Sequence, residues 1–383
     1  MLYSQYIKQR DLLIRNLSSS LRITTNEILR TQFFLVSAGL RNFLPHMPYS
    51  QHESTFKQIQ LSQQLGILEQ HCTDLEQFIT YENLTTEIWR TIKQGCIICT
   101  YHTGSYRAIN RLLAKRKVPF VLAVSSSIYQ TQRQTFLDLH NPVNNGQANR
   151  KSFEVIDAEV PGALIKMIRI LKSRATLVLY IDGNTGCGSP NHTNENCCAI
   201  DFLGQSIYAR TGIASLASLT GAAILPVVSY RKPITQIHLR FCNPLVLGKK
   251  SRGKDDNNDI IDTTHFLFRI LESIVQLYPG QWESWLYLHK MINIVAPPTT
   301  RAPISPQGTE HRGRLQFNLD DFGIFKAGDD HFLFRKSGYS FYPIDDQIYG
   351  LLLLALSKPI VSGLFDKETA RQLINNKVLV NLD

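Results

Sequence analysis

The sequence predicts an α/β protein: a largely parallel sheet flanked by helices, with a helical N-terminal region and a small winged-helix-like module at the C-terminus. Three observations lead there. Short apolar runs bounded by polar residues, at Cys96–Tyr101, Val118–Val124 and Thr176–Ile181, read as buried strands. Segments of helical apolar spacing lie between them, and strand–helix alternation favours a parallel sheet covered on both faces. Beyond residue 315 the pattern changes to short alternating runs separated by Gly and Asp turns.

Residues 1–84 read as helices. Leu2–Leu17 and Thr25–Leu44 carry apolar residues at helical spacing, and Thr24 and Thr25 suit a helix start before Glu27. The polar stretch Pro48–Gln64 is the hardest to place. The core runs over 85–296. Thr85 and Thr86 can cap a helix that Gly95 ends. A helix through Ile109, Leu112 and Leu113 follows the first strand, and Gly162–Lys172 precedes the third. Residues 183–198 read as a long polar loop, which in a compact domain is functional or disordered. Arg210–Leu219 reads as a helix closed by Gly221, then Ala222–Tyr230 and Ile237–Phe241 as strands. Asp255–Asp259 reads as a solvated break before a helix over Thr263–Leu277, ended by Pro279 and Gly280. Residues 297–314 are rich in Pro, Thr and Arg and read as a linker. In the module over 315–383, strands are expected around Gly323–Phe325, His331–Phe334 and Tyr339–Tyr342. Asp345 and Asp366 stand as helix caps, and Val378–Val380 closes the chain.

The chain has 383 residues, 43% hydrophobic and 19% charged, so the bulk is globular. Its formal charge of +10 suits an anionic partner, a membrane surface or a phosphorylated carrier. Lys and Arg are not concentrated in the C-terminal module, which argues against nucleic acid. Seven cysteines, an odd number, do not form a disulfide framework and indicate a reducing compartment. The N-terminus MLYSQYIKQRDLL carries charge where a signal peptide needs an apolar run. Thr31–Leu40 is too short to span a bilayer. A cytoplasmic protein is expected, with at most peripheral contact at the inner face of an anionic membrane. There is no G-x-S-x-G elbow, P-loop or Gly-x-Gly-x-x-Gly turn. Cys187, His192, Cys197 and Cys198 lack the spacing of a zinc site, and no metal is expected. Cys96 and Cys99 lie on a strand with their side chains on opposite faces, as core filling.

His102 follows the first strand and Asp182 the third. In an open parallel sheet the carboxyl ends of the strands form the ligand-binding rim, so the two share one edge. A neutral imidazole there can take a proton from an attacking hydroxyl or amine. Backbone N–H groups from Gly104 to Tyr106 stand where an oxyanion or phosphate would be received.

These residues and the order of the motifs after them resemble the glycerolipid and lysophospholipid acyltransferases, most of all the bacterial lipid A lauroyl/myristoyl branch. The His-x4-Asp/Glu block reads His102-Thr-Gly-Ser-Tyr-Arg107. The acceptor block resembles Tyr180-Ile-Asp182-Gly183-Asn184, and the Phe-Phe-Gly element Asp201-Phe202-Leu203-Gly204. A small-residue helix follows from Thr211 to Gly221, then Ile224-Leu225-Pro226-Val227, and Tyr278-Pro-Gly-Gln-Trp282-Glu-Ser-Trp285-Leu-Tyr-Leu-His289 closes the match. The resemblance implies transfer of a fatty acyl group from a coenzyme A or acyl carrier protein thioester, with no other cofactor, and His102 as general base on the acceptor. Carried over, His102 is the base, and Asp182, Gly183 and Asn184 help hold the acceptor; the candidate catalytic residues are His102, Arg107 and Asp182. Candidate acceptor or acyl contacts are Gly104, Ser105, Ser127, Gly183, Asn184, Phe202, Gly204 and Arg210.

Arg107 stands where the family has its acid. Asp182 or Glu283 could orient His102 instead. Alternatively the acceptor is an amine, with Arg107 keeping His102 neutral by repulsion and binding an anionic group. A third reading is an inactive chain that retains an acyl or peptide pocket. The active enzyme is the preferred reading. Ser125, Ser126 and Ser127 replace a family Arg at the next strand end, which argues against lipid A precursor as the default acceptor. The C-terminal module resembles the leader-peptide recognition domains of ribosomal-peptide modification systems, and this would make the acceptor a peptide amine. A dimerisation or capping module is the alternative.

Overall fold

The computed structural model describes residues 1–16, 25–140, 153–183, 196–247, 255–292 and 313–382. The first helices, α1 (Tyr3–Asn16) and α2 (Glu27–Phe43), stand where the apolar spacing puts them. The start of α2 is Asn26, not Thr24 or Thr25, because its side chain accepts a hydrogen bond from the Leu29 amide at 2.9 Å. The polar stretch folds as α3 (His52–Gln70). A short strand, β1 (Ile79–Glu82), corrects the purely helical reading of this region.

In α4 (Thr86–Gln94) the Thr85 side chain accepts from the Ile88 amide. Gly95 closes it at φ +85°, where a Cβ would lie 2.5 Å from the Arg174 backbone. Then come β2 (Ile97–Thr100), α5 (Ala108–Lys115), β3 (Phe120–Val124), α6 (Ser126–His140), β4 (Phe153–Asp157), α7 (Ala163–Lys172) and β5 (Thr176–Tyr180). Neither α6 nor β4 was anticipated, α6 because its exposed face is polar over most of its length. A hairpin of β6 (Cys197–Phe202) and β7 (Gln205–Arg210) corrects two readings, the loop through 198 and the helix from Arg210. Its turn is Leu203–Gly204, both in the left-handed region at φ 50° and 75°, as a two-residue hairpin turn requires. After α8 (Gly212–Thr220), β8 (Ile224–Arg231) and β9 (Ile237–Phe241), α9 (Asp255–Leu277) begins on the acidic run read as a break.

The seven strands order as β1-β9-β8-β2-β5-β3-β4. All neighbours are parallel except β8 and β9. Both faces are covered, so β2 and β8 are buried along their whole length. Cys96 and Cys99 are fully buried, as core filling requires. Cys72, Cys96, Cys99, Cys198 and Cys242 are free, whereas Cys197 is disulfide-bonded, which the reading of a reducing compartment did not anticipate.

The described residues fall into two compact units, discontinuous in sequence. The first comprises those within 1–19, 57–284 and 290–292 and holds the sheet. The second comprises those within 20–56, 285–289 and 293–383, so the N-terminal helical region is divided between them. In the second unit, β10 (Arg314–Phe317), β11 (Phe322–Ala327), β12 (Asp330–Arg335), β13 (Ser340–Ile344), α10 (Asp346–Ser357), β14 (Ile360–Val361), α11 (Lys367–Asn375) and β15 (Leu379–Asn381) form two three-stranded antiparallel sheets with helices. Asp345 and Asp366 cap α10 and α11 as expected. Helix α2 packs into this unit: the Phe34 ring meets Phe325 edge-on, and a Cβ on Gly323 would strike Phe34 at 2.7 Å. Buried Lys336 donates to Ser37 at 2.8 Å, and burial pushes its amine down to about 7. Among the described residues no helix is long and apolar enough to cross a membrane.

Candidate active site

Parallel β2 and β5 pair with Thr100 opposite Tyr180. Two residues further along each strand, this register sets His102 beside Asp182. The Asp182 carboxylate is fully buried and accepts from four donors. These are the His102 amide (3.0 and 3.1 Å), His102 Nδ1 (2.9 Å), Trp282 Nε1 (2.8 Å) and the Ser284 hydroxyl (3.0 Å). Burial alone would push this carboxyl up, but His102 and the donors outweigh it and hold it below its usual range. An ionised carboxylate only accepts, so His102 carries its proton on Nδ1 and its lone pair on Nε2.

Burial pushes the His102 imidazole down, and Asp182 pushes it up more strongly, leaving it above its ordinary value. Glu283 adds to the rise and Arg107 opposes it. Arg107 thus pushes the imidazole toward its neutral form, as expected of a neighbouring cation, but the net shift is upward. Tyr180 and Tyr106 flank the ring at centroid distances of 4.7 and 4.9 Å, and the His102 side chain keeps 18% of its surface exposed.

A strap formed by residues 281–283 runs antiparallel to 102–104. Gly104 N–H donates to the Gln281 carbonyl, Thr103 bridges Trp282, and Glu283 N–H donates to the His102 carbonyl at 2.9 Å. This strap carries Trp282 and Ser284 to the carboxylate, roles the sequence does not reveal. The Tyr-Pro-Gly-Gln-Trp run marked the segment but not what it holds.

The remaining expected contacts divide. Gly104 sits at φ +53° with room for no Cβ, since the Tyr230 Cα would be 2.7 Å away. The Ser105 amide donates to the Ser229 hydroxyl and the side chain is buried. Two of the three amides offered for an oxyanion are thus occupied within the protein, which leaves that of Tyr106. Ser127 is exposed on the first turn of α6, on the same rim after β3. Gly183 adjoins Asp182, and Asn184 lies outside the described residues, as do Cys187 and His192. Phe202 is fully buried, with its ring centroid 5.2 Å from that of Trp282. Gly204 makes the hairpin turn and Arg210 ends the hairpin.

One face of α3, with Gln60, Gln63, Gln64 and Ile67 at i, i+3, i+4 and i+7, lines a pocket of about 300 Å³ closed by Arg107 and Glu283. Gln63 Nε2 donates to the Glu283 carboxylate at 2.8 Å. The opposite side of α3 is also polar at Ser62 and Glu69. There buried Arg231, at the end of β8, makes a bidentate pair with Glu69 (2.6 and 3.1 Å) and donates to Ser62 (2.8 Å). Removing one partner of such a pair costs about 3–5 kcal/mol, because the other charge is left buried and uncompensated.

The family model described as "Bacterial lipid A biosynthesis acyltransferase" matches residues 78–292. No curated protein matches the chain. Among solved structures, the 1-acyl-sn-glycerophosphate (LPA) acyltransferase PlsC from Thermotoga maritima is similar at 11% identity and a TM-score of 0.31. That match covers 67% of this chain and 97% of that one.

Proposed function

The chain belongs to the bacterial lipid A biosynthesis acyltransferase family and transfers acyl groups, and we propose that His102 is its general base, oriented by Asp182 and made more basic by its charge. The donor is a fatty acyl thioester of acyl carrier protein or coenzyme A. The acceptor is a hydroxyl or an amine, a peptide amine among them. His102 Nε2 takes the acceptor's proton as its oxygen or nitrogen bonds to the thioester carbonyl carbon. The C–S bond then breaks, and the departing thiolate recovers the proton from the imidazolium. The observation that carries this reading is the buried Asp182 carboxylate on His102 Nδ1. It supplies from 80 residues away the acid that position 107 lacks, and it favours the active enzyme over an inactive acyl or peptide binder.

A test lies in the pH dependence. A base must be unprotonated, so acyl transfer rises with pH as His102 loses its proton. Asp182 raises the imidazole, so kcat/KM reaches half its plateau above 6.5, the ordinary imidazole value. A profile flat from pH 5 to 8 counts against His102 as base.

A further inference from the structure

We infer that the pocket lined by Arg107 and Glu283, the latter bonded through its amide to the His102 carbonyl, is built for a zwitterionic acceptor, an amine that carries its own carboxylate, as a free amino acid does. This rests on the acyltransferase reading and names the acceptor class for it. Five of the six lining residues are carboxamides or charged, and Ile67 is the single apolar one. At about 300 Å³ the pocket is at the small end for ligand sites. It suits a compact polar head rather than an alkyl tail.

The two charges have opposite sign. Arg107 has no ion-pair partner among the described residues. Its guanidinium lies 4.6 Å from the Tyr106 ring centroid, and one nitrogen would be 3.7 Å from a Cβ on Gly66 of α3. A guanidinium braced by an aromatic ring and a helix is a fork for a carboxylate. Glu283 is fixed by Gln63 through its side chain and by the His102 carbonyl through its amide. It therefore attracts an ammonium group, from a position whose charge also reaches the His102 imidazole. The same carboxylate repels a phosphate dianion, so a phosphorylated head fits less well than a zwitterion.

The step balances as an amide synthesis. The bound ammonium first releases one proton to solvent. The neutral nitrogen attacks the thioester carbonyl carbon, the N–C bond forms, and the second proton passes to His102 Nε2. The C–S bond breaks and the thiolate takes that proton. The products are an N-acyl amino acid and a free thiol.

The test uses the full chain with decanoyl and palmitoyl thioesters of coenzyme A and of acyl carrier protein. Acceptors are the common amino acids, their carboxamides and glycolate, with products identified by mass and thiol release followed in parallel. The wild type is expected to prefer a free amino acid over its carboxamide by roughly 10- to 100-fold in kcat/KM, the factor a lost charge-assisted pair is worth. In Arg107→Ala that ratio falls to near one. Equal use of amino acid and carboxamide by the wild type overturns the inference and leaves acyl transfer standing, and so does transfer to a hydroxyl alone. No acylated product and no thiol release with any pairing overturns the acceptor class and the general-base reading together. The wild-type comparison needs no variant, so a failure of Arg107→Ala to fold does not blunt it.

Discussion

Replacing His102 with Ala is expected to lower acyl transfer by at least ~100-fold, the lower end for loss of a general base. The side chain is partly exposed at the rim and bonds to the buried carboxylate through one nitrogen. Its removal should therefore reach the chemistry before the fold. Thiol release from a fatty acyl thioester, measured with a thermal melt of the same sample, separates the two. An unchanged rate in a folded variant would remove His102 from the mechanism.

Asp182→Asn is expected to cost on the order of 10²- to 10⁴-fold in kcat, the range for a base whose orienting carboxylate is replaced by a carboxamide. The volume is kept, but an amide nitrogen in place of Oδ2 faces two donor-only groups it cannot accept from, the His102 amide and Trp282 Nε1. The imidazole also loses the charge that raises it, so the acid limb of the pH–rate profile shifts to lower pH. A profile that stays in place while the rate falls would show that Asp182 supports the fold without tuning the base. Steady-state rates from pH 5 to 9 decide this.

The rim was legible because β2 and β5 are apolar strands with polar residues at their carboxyl ends, and parallel pairing sets those ends side by side. The sequence therefore offered Asp182 as the missing acid, though alongside Glu283 and two other readings. What it hid was non-local. Trp282 and Ser284 reach the carboxylate only because residues 281–283 pair with 102–104, across some 180 positions of chain. The pocket wall on α3 was hidden for a different reason. Periodicity identifies a helix by one apolar face, and α3 is polar on two: glutamines toward the pocket, Ser62 and Glu69 toward Arg231. The hairpin of β6 and β7 was misread because its turn, Leu203–Gly204, sits inside a stretch that also resembles a ligand-binding motif. Gly104 and Ser105 carried a similar double meaning, and the structure uses both for close backbone packing.

The central claim is that His102 and Asp182 work as one unit, and a double-variant cycle addresses it directly. Acyl transfer is measured for wild type, His102→Ala, Asp182→Asn and the pair together, under one donor and acceptor at the pH plateau. Residues that act through each other are strongly non-additive, so the double variant should be no slower than the slower single variant, within about threefold. A double variant slower by the product of the two single losses would mean that the carboxylate and the imidazole contribute independently, and would contradict the account.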